Sequence, residues 1–164
     1  MSQETWDRFF FKMAETVAEK SKDRSTKVGV IVVGPDHEIR STGYNGFPRG
    51  IEDNVDERHQ RPAKYMWTEH AERNAIYHAA RTGTSLKGCT MYFNTSPYPC
   101  ADCARAVIQA GIKEVVGRDM AFPGGPRWDE SLRVGEEMLN EAGVMITLLP
   151  VEVSDGVDNS KAVR

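Results

Sequence analysis

Two short stretches of the chain carry residues able to do chemistry together. "WTEHAERNAI", residues 67–76, sets His70 two positions before Glu72, and "SPYPCADCARAVIQAG" sets Cys100 three positions before Cys103. Imidazole nitrogen and thiolate sulfur are donors that zinc prefers, and a catalytic zinc takes three protein ligands and leaves its fourth position to water. His70, Cys100 and Cys103 supply three such donors, and Glu72 is a carboxylate placed to move protons. The remaining histidines, His37, His59 and His78, fall in a turn, in a long loop and two turns down a helix, so a fourth ligand is not evident. Each half alone says little: His-x-Glu pairs are common on solvated helix faces, and Cys-x-x-Cys serves thiol redox as well as metal binding.

The elements that must position these residues can be read from periodicity. Cys100 and Cys103 open a predicted helix, 100–110, whose N-terminal partial positive charge favours thiolate over thiol, with Pro99 suited to that start. His70 opens another, 69–82, ended by Gly83. Residues i and i+2 do not face each other in a regular helix, so His70 and Glu72 share a site only if His70 lies in the first turn or at the cap. Upstream, residues 4–21 form an amphipathic helix with Trp6, Phe9, Phe10, Met13 and Val17 toward the core. "KVGVIVVG" reads as a buried strand and "EIRSTGYNG" as its hairpin partner. Residues 46–64 are polar and aperiodic, a connection long enough to be functional or mobile. Downstream come strands at "CTMYFNT", "KEVVG" and "VMITLLPV", with helix 128–142 behind the loop "FPGGPR". Strands alternating with helices predict one α/β/α layered domain over residues 1–150, its sheet partly parallel, followed by a polar tail at 151–164.

Bulk properties exclude several classes. The chain has 164 residues, 40% apolar and 27% charged, with net charge −3 and a pI near 5.8, so no global basic field drives nucleic-acid binding. No eighteen-residue apolar run and no secretory leader are visible, and neither a membrane nor a nucleic acid is an expected partner. Three cysteines are too few for a disulfide framework, and Cys89 reads as a small buried hydrophobe. A cytoplasmic location is expected.

Joined as His-Ala-Glu and, about thirty residues on, Pro-Cys-x-x-Cys, the two motifs form the zinc deaminase signature. Around them "STKVGVIVV", "STGYNGFPRG", "KYMWTEHAERNAI", "LKGCTMYF", "PCADCARAVIQAGIKEVV" and "EAGV" occur in the order of a known family. Over roughly residues 8–120 the chain resembles the cytidine deaminase superfamily and, within it, the deoxycytidylate (dCMP) deaminases, with the "GYNGFPRG" loop as the discriminating piece. The resemblance implies a three-layer α/β/α sandwich on a mixed five-stranded sheet. It implies a hydrolase that converts dCMP to dUMP and ammonia, feeding thymidylate synthesis. It also implies Zn²⁺ on His70, Cys100 and Cys103, Glu72 as proton shuttle, and the Ala71 amide on the pyrimidine carbonyl. Asn45 would contact the sugar hydroxyl, although Asn-Gly is also a strong turn signal.

Phosphate needs cationic donors; Arg24, Lys27, Arg49, Arg61 and Lys64 are available, and Lys27 and Arg49 are the expected pair. Tyr65 and Trp67 could wall the base pocket or simply pack. The resemblance further implies a homohexamer regulated by dCTP and dTTP near Gly43, Tyr44, Asn45 and Gly46. "NTSPYPC" and "GRDMAFPGGPRW" depart from the family pattern, the second at the expected pocket rim, and no cysteines exist for the extra zinc site of some members. A 5-substituted dCMP, CMP or deoxycytidine therefore stays open as substrate, as does a non-catalytic zinc protein.

Overall fold

The computed structural model describes residues 2–150. Helix α1 (Gln3–Ala18) begins at Ser2, whose hydroxyl accepts from the Thr5 amide, satisfying one of the donors a helix start leaves over. Strands β1 (Gly29–Val33) and β2 (Ile39–Tyr44) form the expected antiparallel hairpin. Helices α2 (Asp56–His59) and α3 (Lys64–Trp67) follow, then α4 (Ala71–Thr82), β3 (Thr90–Phe93), α5 (Ala101–Gln109) and β4 (Glu114–Arg118). A 3₁₀ turn (Pro126–Trp128) leads into α6 (Asp129–Glu141), and β5 (Met145–Leu149) closes the sheet. The strand order is β2-β1-β3-β4-β5: β1 is antiparallel to β2 and β3, whereas β3, β4 and β5 are parallel. The expected mixed five-stranded sheet is present.

Side chains alternate across a strand, and here both faces are buried. On one side Ile31, Val33, Tyr92 and Val116 pack with Phe10 and Ala14 of α1. On the other, Val30, Val32, Met91, Phe93 and Val115 meet Ala71, Ala75 and Ala79 of α4, Ala104 and Val107 of α5 and Leu139 of α6. Burying a side chain such as Phe10, 1% exposed, contributes about 1.5–3 kcal/mol. Alanines along α4 keep that helix close to the sheet. At Gly43 the approach is closest: a Cβ there would collide with the Ala71 carbonyl and the Ala75 amide.

Three expectations need correction. Phe9 of α1 points outward, 52% exposed, and Phe11 takes the inner position instead. The connection 46–64 is not aperiodic throughout, since it contains α2 and the start of α3; each is four residues, too short to show a helical period. Helix α1 also ends at Ala18, short of residue 21. The polar tail at 151–164 lies outside the described residues. No helix among those described is long and apolar enough to cross a membrane.

Candidate active site

The strand ends at Tyr44 and Phe93 and the helix starts at Ala71 and Ala101 meet at one end of the sheet, where a hollow opens. His70 is the N-cap of α4, with extended backbone (φ −81°, ψ 154°), and Cys100 is the N-cap of α5 (φ −62°, ψ 165°). Because the cap residue is not yet helical, His70 and Glu72 face the same space despite their spacing, and both line the hollow. The first turns are fastened locally. The Glu69 carboxylate accepts from the His70 amide at 2.9 Å, and the Ser131 hydroxyl of α6 accepts from the Ala101 amide at 3.0 Å. Gly135 of α6 has no side chain where one would strike the Pro99 carbonyl, so α6 lies against the loop that carries Cys100.

His70 Nδ1 stands 3.4 Å from Cys100 Sγ and 3.4 Å from Cys103 Sγ, and all three donor atoms lie within 4.8 Å of one another. Zinc bonds of about 2.3 Å to sulfur and 2.0–2.1 Å to nitrogen, set tetrahedrally, require nitrogen–sulfur separations near 3.6 Å. The donor set and its spacing fit that ion. The hydrogen bond from Cys103, against the opposing effect of burial and with help from His70, holds the Cys100 thiol down to about 4, a ready thiolate. Its bond to Cys100 and burial push Cys103 the other way. Burial also pushes the Glu72 carboxyl up, although the adjacent His70 works against the rise. A carboxyl at 7% exposure that holds a proton more readily than usual suits proton transfer.

Among the other expected residues, the structure brings Asn45, Ala71 and Tyr65 to this hollow. Asn45 also has a structural task, accepting from the Val28 amide and donating to the Thr26 carbonyl, so it braces the start of β1 against the end of β2. Lys27, Arg49 and Trp67 are not among the lining residues. Lys27 is exposed, Arg49 bonds His78 on the outer face of α4, and Trp67 lies under the Arg58 guanidinium at 4.1 Å. The cations on the wall are Arg61, Lys64 and Arg127. Tyr44 and Gly46 line a neighbouring hollow with Lys20, Lys22 and Arg24, and Asp23, Lys64 and Thr68 belong to both walls.

Trp128 was not singled out by sequence reasoning. Its ring meets those of His70, Tyr65 and Phe122 edge-on, with centroids at 5.5, 5.9 and 6.3 Å. The expected position of "GRDMAFPGGPRW" at the rim was the available signal: Phe122, Gly124, Arg127 and Trp128 all line the hollow.

The family model for the cytidine and deoxycytidylate deaminase zinc-binding region matches residues 4–118. The chain belongs to that family. Among its relatives, an uncharacterised deaminase of Aliivibrio fischeri is 39% identical over 148 residues, 90% of this chain and 96% of the relative. The deoxycytidylate deaminase of Homo sapiens is 39% identical over 116 residues, covering 68% of this chain, and the match spans 63% of that relative's length. The crystal structure of dCMP deaminase from the cyanophage S-TIM5 in complex with dCMP and dUMP superposes with a TM-score of 0.70 at 27% identity, over 92% of this chain and 99% of that one. The fold is that of the cytidine deaminases, and His70, Cys100 and Cys103 of this deaminase are the group able to hold its zinc.

Proposed function

We propose that this deaminase hydrolyses dCMP to dUMP and ammonia. The observation that carries the reading is a buried carboxylate, Glu72, lining the same hollow as a His-Cys-Cys donor set, in a chain of the deoxycytidylate deaminase family. Zinc held by His70, Cys100 and Cys103 would supply a Lewis acid that makes water nucleophilic near neutral pH. Glu72 would carry two protons in turn, the first from the attacking water to the ring nitrogen N3 and the second from the oxygen newly bonded to C4 to the departing amine as the C4–N bond breaks. The Ala71 amide, in the first turn of α4, has no acceptor inside its own helix and is directed to the C2 carbonyl of the base. Trp128 and Tyr65 close over the ring, and Asn45 marks the sugar side. Arg61 and Arg127, which line the hollow, are assigned to the phosphate in preference to the outlying Lys27 and Arg49.

Regulation by dCTP and dTTP belongs to the same proposal, with Tyr44, Gly46 and the cations Lys20, Lys22 and Arg24 of the adjacent hollow as its support. Assembly as a homohexamer is supported by apolar side chains left open to solvent, Met66 at 88% and Tyr77 at 50%. A cytoplasmic setting is supported by the free thiols Cys89, Cys100 and Cys103. The test is the initial rate of ammonia release from dCMP by the zinc-loaded protein, with and without dCTP. Turnover raised by dCTP is expected; turnover indifferent to it would keep the chemistry and remove the regulation, and none in either condition would sink both.

A further inference from the structure

We propose that Arg73 is a positioning residue for the metal centre, a cation that ties the two ligand-bearing helix starts together and sets a positive charge beside the Cys103 thiolate. The inference rests on the zinc assignment above and not on the choice of dCMP as substrate. Arg73 follows Glu72 in the first turn of α4. Its guanidinium pairs with the Glu69 carboxylate at 2.6 Å, and the same carboxylate oxygen accepts from the His70 amide at 2.9 Å. Its other terminal nitrogen stands 3.9 Å from the carboxylate of Asp102, which lies between Cys100 and Cys103 and is also held by Arg105. One side chain thus reaches the neighbour of His70 on α4 and the residue between the two cysteines on α5.

The clamp alone does not account for the residue. Its Nε is buried and has no hydrogen-bond partner among the described residues. Burial works against the guanidinium charge, but Cys103 and then Glu69 favour it and prevail. A buried donor without a partner calls for an explanation, and here the site it borders is one that gathers two sulfurs for a metal. A thiolate beside a cation gives less of its electron density to the metal it binds. Groups that stand behind the ligands in this way orient them and tune the ion. Two thiolates unopposed would soften zinc as a Lewis acid; Arg73 offsets that donation without touching substrate, since it is not among the residues that line the hollow.

The test replaces zinc by Co²⁺ in the full chain and reads the sulfur-to-cobalt charge-transfer band, alongside zinc retention against a chelator. Arg73→Met, similar in length and uncharged, is expected to move that band to longer wavelength, because the sulfur is richer in electrons without its cation. Zinc retention and kcat are each expected to fall about tenfold or more, with KM for dCMP little changed. Arg73→Lys keeps the charge and is expected to bring the band most of the way back. Glu69→Gln breaks the ion pair but keeps the Arg73 charge, and is expected to leave the band in place. An unmoved band in Arg73→Met, or an equal shift in Glu69→Gln, would overturn the inference and reduce Arg73 to a strut between helices. Neither metal readout needs a substrate, so a failure of dCMP turnover would strike the substrate reading and leave this one standing.

Discussion

The Lys64 ammonium lies 2.7 Å from the Asp23 carboxylate, in side chains only 12% and 3% exposed, and the pair stands in the wall between the catalytic hollow and its cationic neighbour. Asp23 also accepts from the Ser25 and Thr26 amides, and Lys64 donates to the Ser25 hydroxyl. One ion pair thus ties the segment before β1 to α3.

Asp23→Asn is expected to destabilise the fold by about 3 kcal/mol near neutral pH, because it leaves the Lys64 charge buried without a counter-ion. Burial pushes the Asp23 carboxyl up, but Lys64 and the two amides outweigh it and hold the group below its ordinary value. A folded-state value below the unfolded one means that the stabilisation is present above about pH 3.9 and is lost as pH falls through the lower value. Urea unfolding at neutral pH and at about pH 3 checks this, and the gap between variant and parent should narrow on the acid side. A gap that stays constant would show that the charge of Asp23 is immaterial.

Glu72→Gln preserves the shape of the buried side chain and removes its proton exchange. Turnover of dCMP is expected to fall by about 10³-fold or more, with metal content unchanged by atomic absorption. Retained turnover would mean that another group carries the proton.

Gly135→Ala places a Cβ against the Pro99 carbonyl, one residue from a metal ligand. Overpacking of this kind costs about 1–3 kcal/mol and here displaces Cys100. Thermal melting should shift down, and competition with a chelator should show weaker zinc retention than in the parent. A lower melting temperature with unaltered zinc retention would confine the role of Gly135 to packing.

Much of the site could be read in the chain itself, for reasons particular to its residues. His70, Glu72, Cys100 and Cys103 are adjacent in pairs, so only one long-range meeting had to be supplied, and the condition that His70 sit at a helix cap is met. Which cations line the hollow was less legible. Lys27 and Arg49 lie close in sequence to motif residues, but side-chain direction is set by tertiary packing: Arg49 turns to His78 while Arg61, between the short helices α2 and α3, reaches the hollow. Trp128 stands 58 positions from His70, and no local pattern announces an aromatic contact of that range. Asn45 is not in a hairpin turn, since β1 and β2 are joined at 34–38; its side chain instead braces the start of β1 from the wall of the hollow.

The segment from the end of β4 to the start of α6 contributes Phe122, Gly124, Arg127 and Trp128 to the hollow but none of the three metal-binding side chains. The donor set is thus untouched by side-chain changes along 119–128, while the rest of the hollow's wall, Asn45, Arg61 and Tyr65 among it, stands on other lengths of chain.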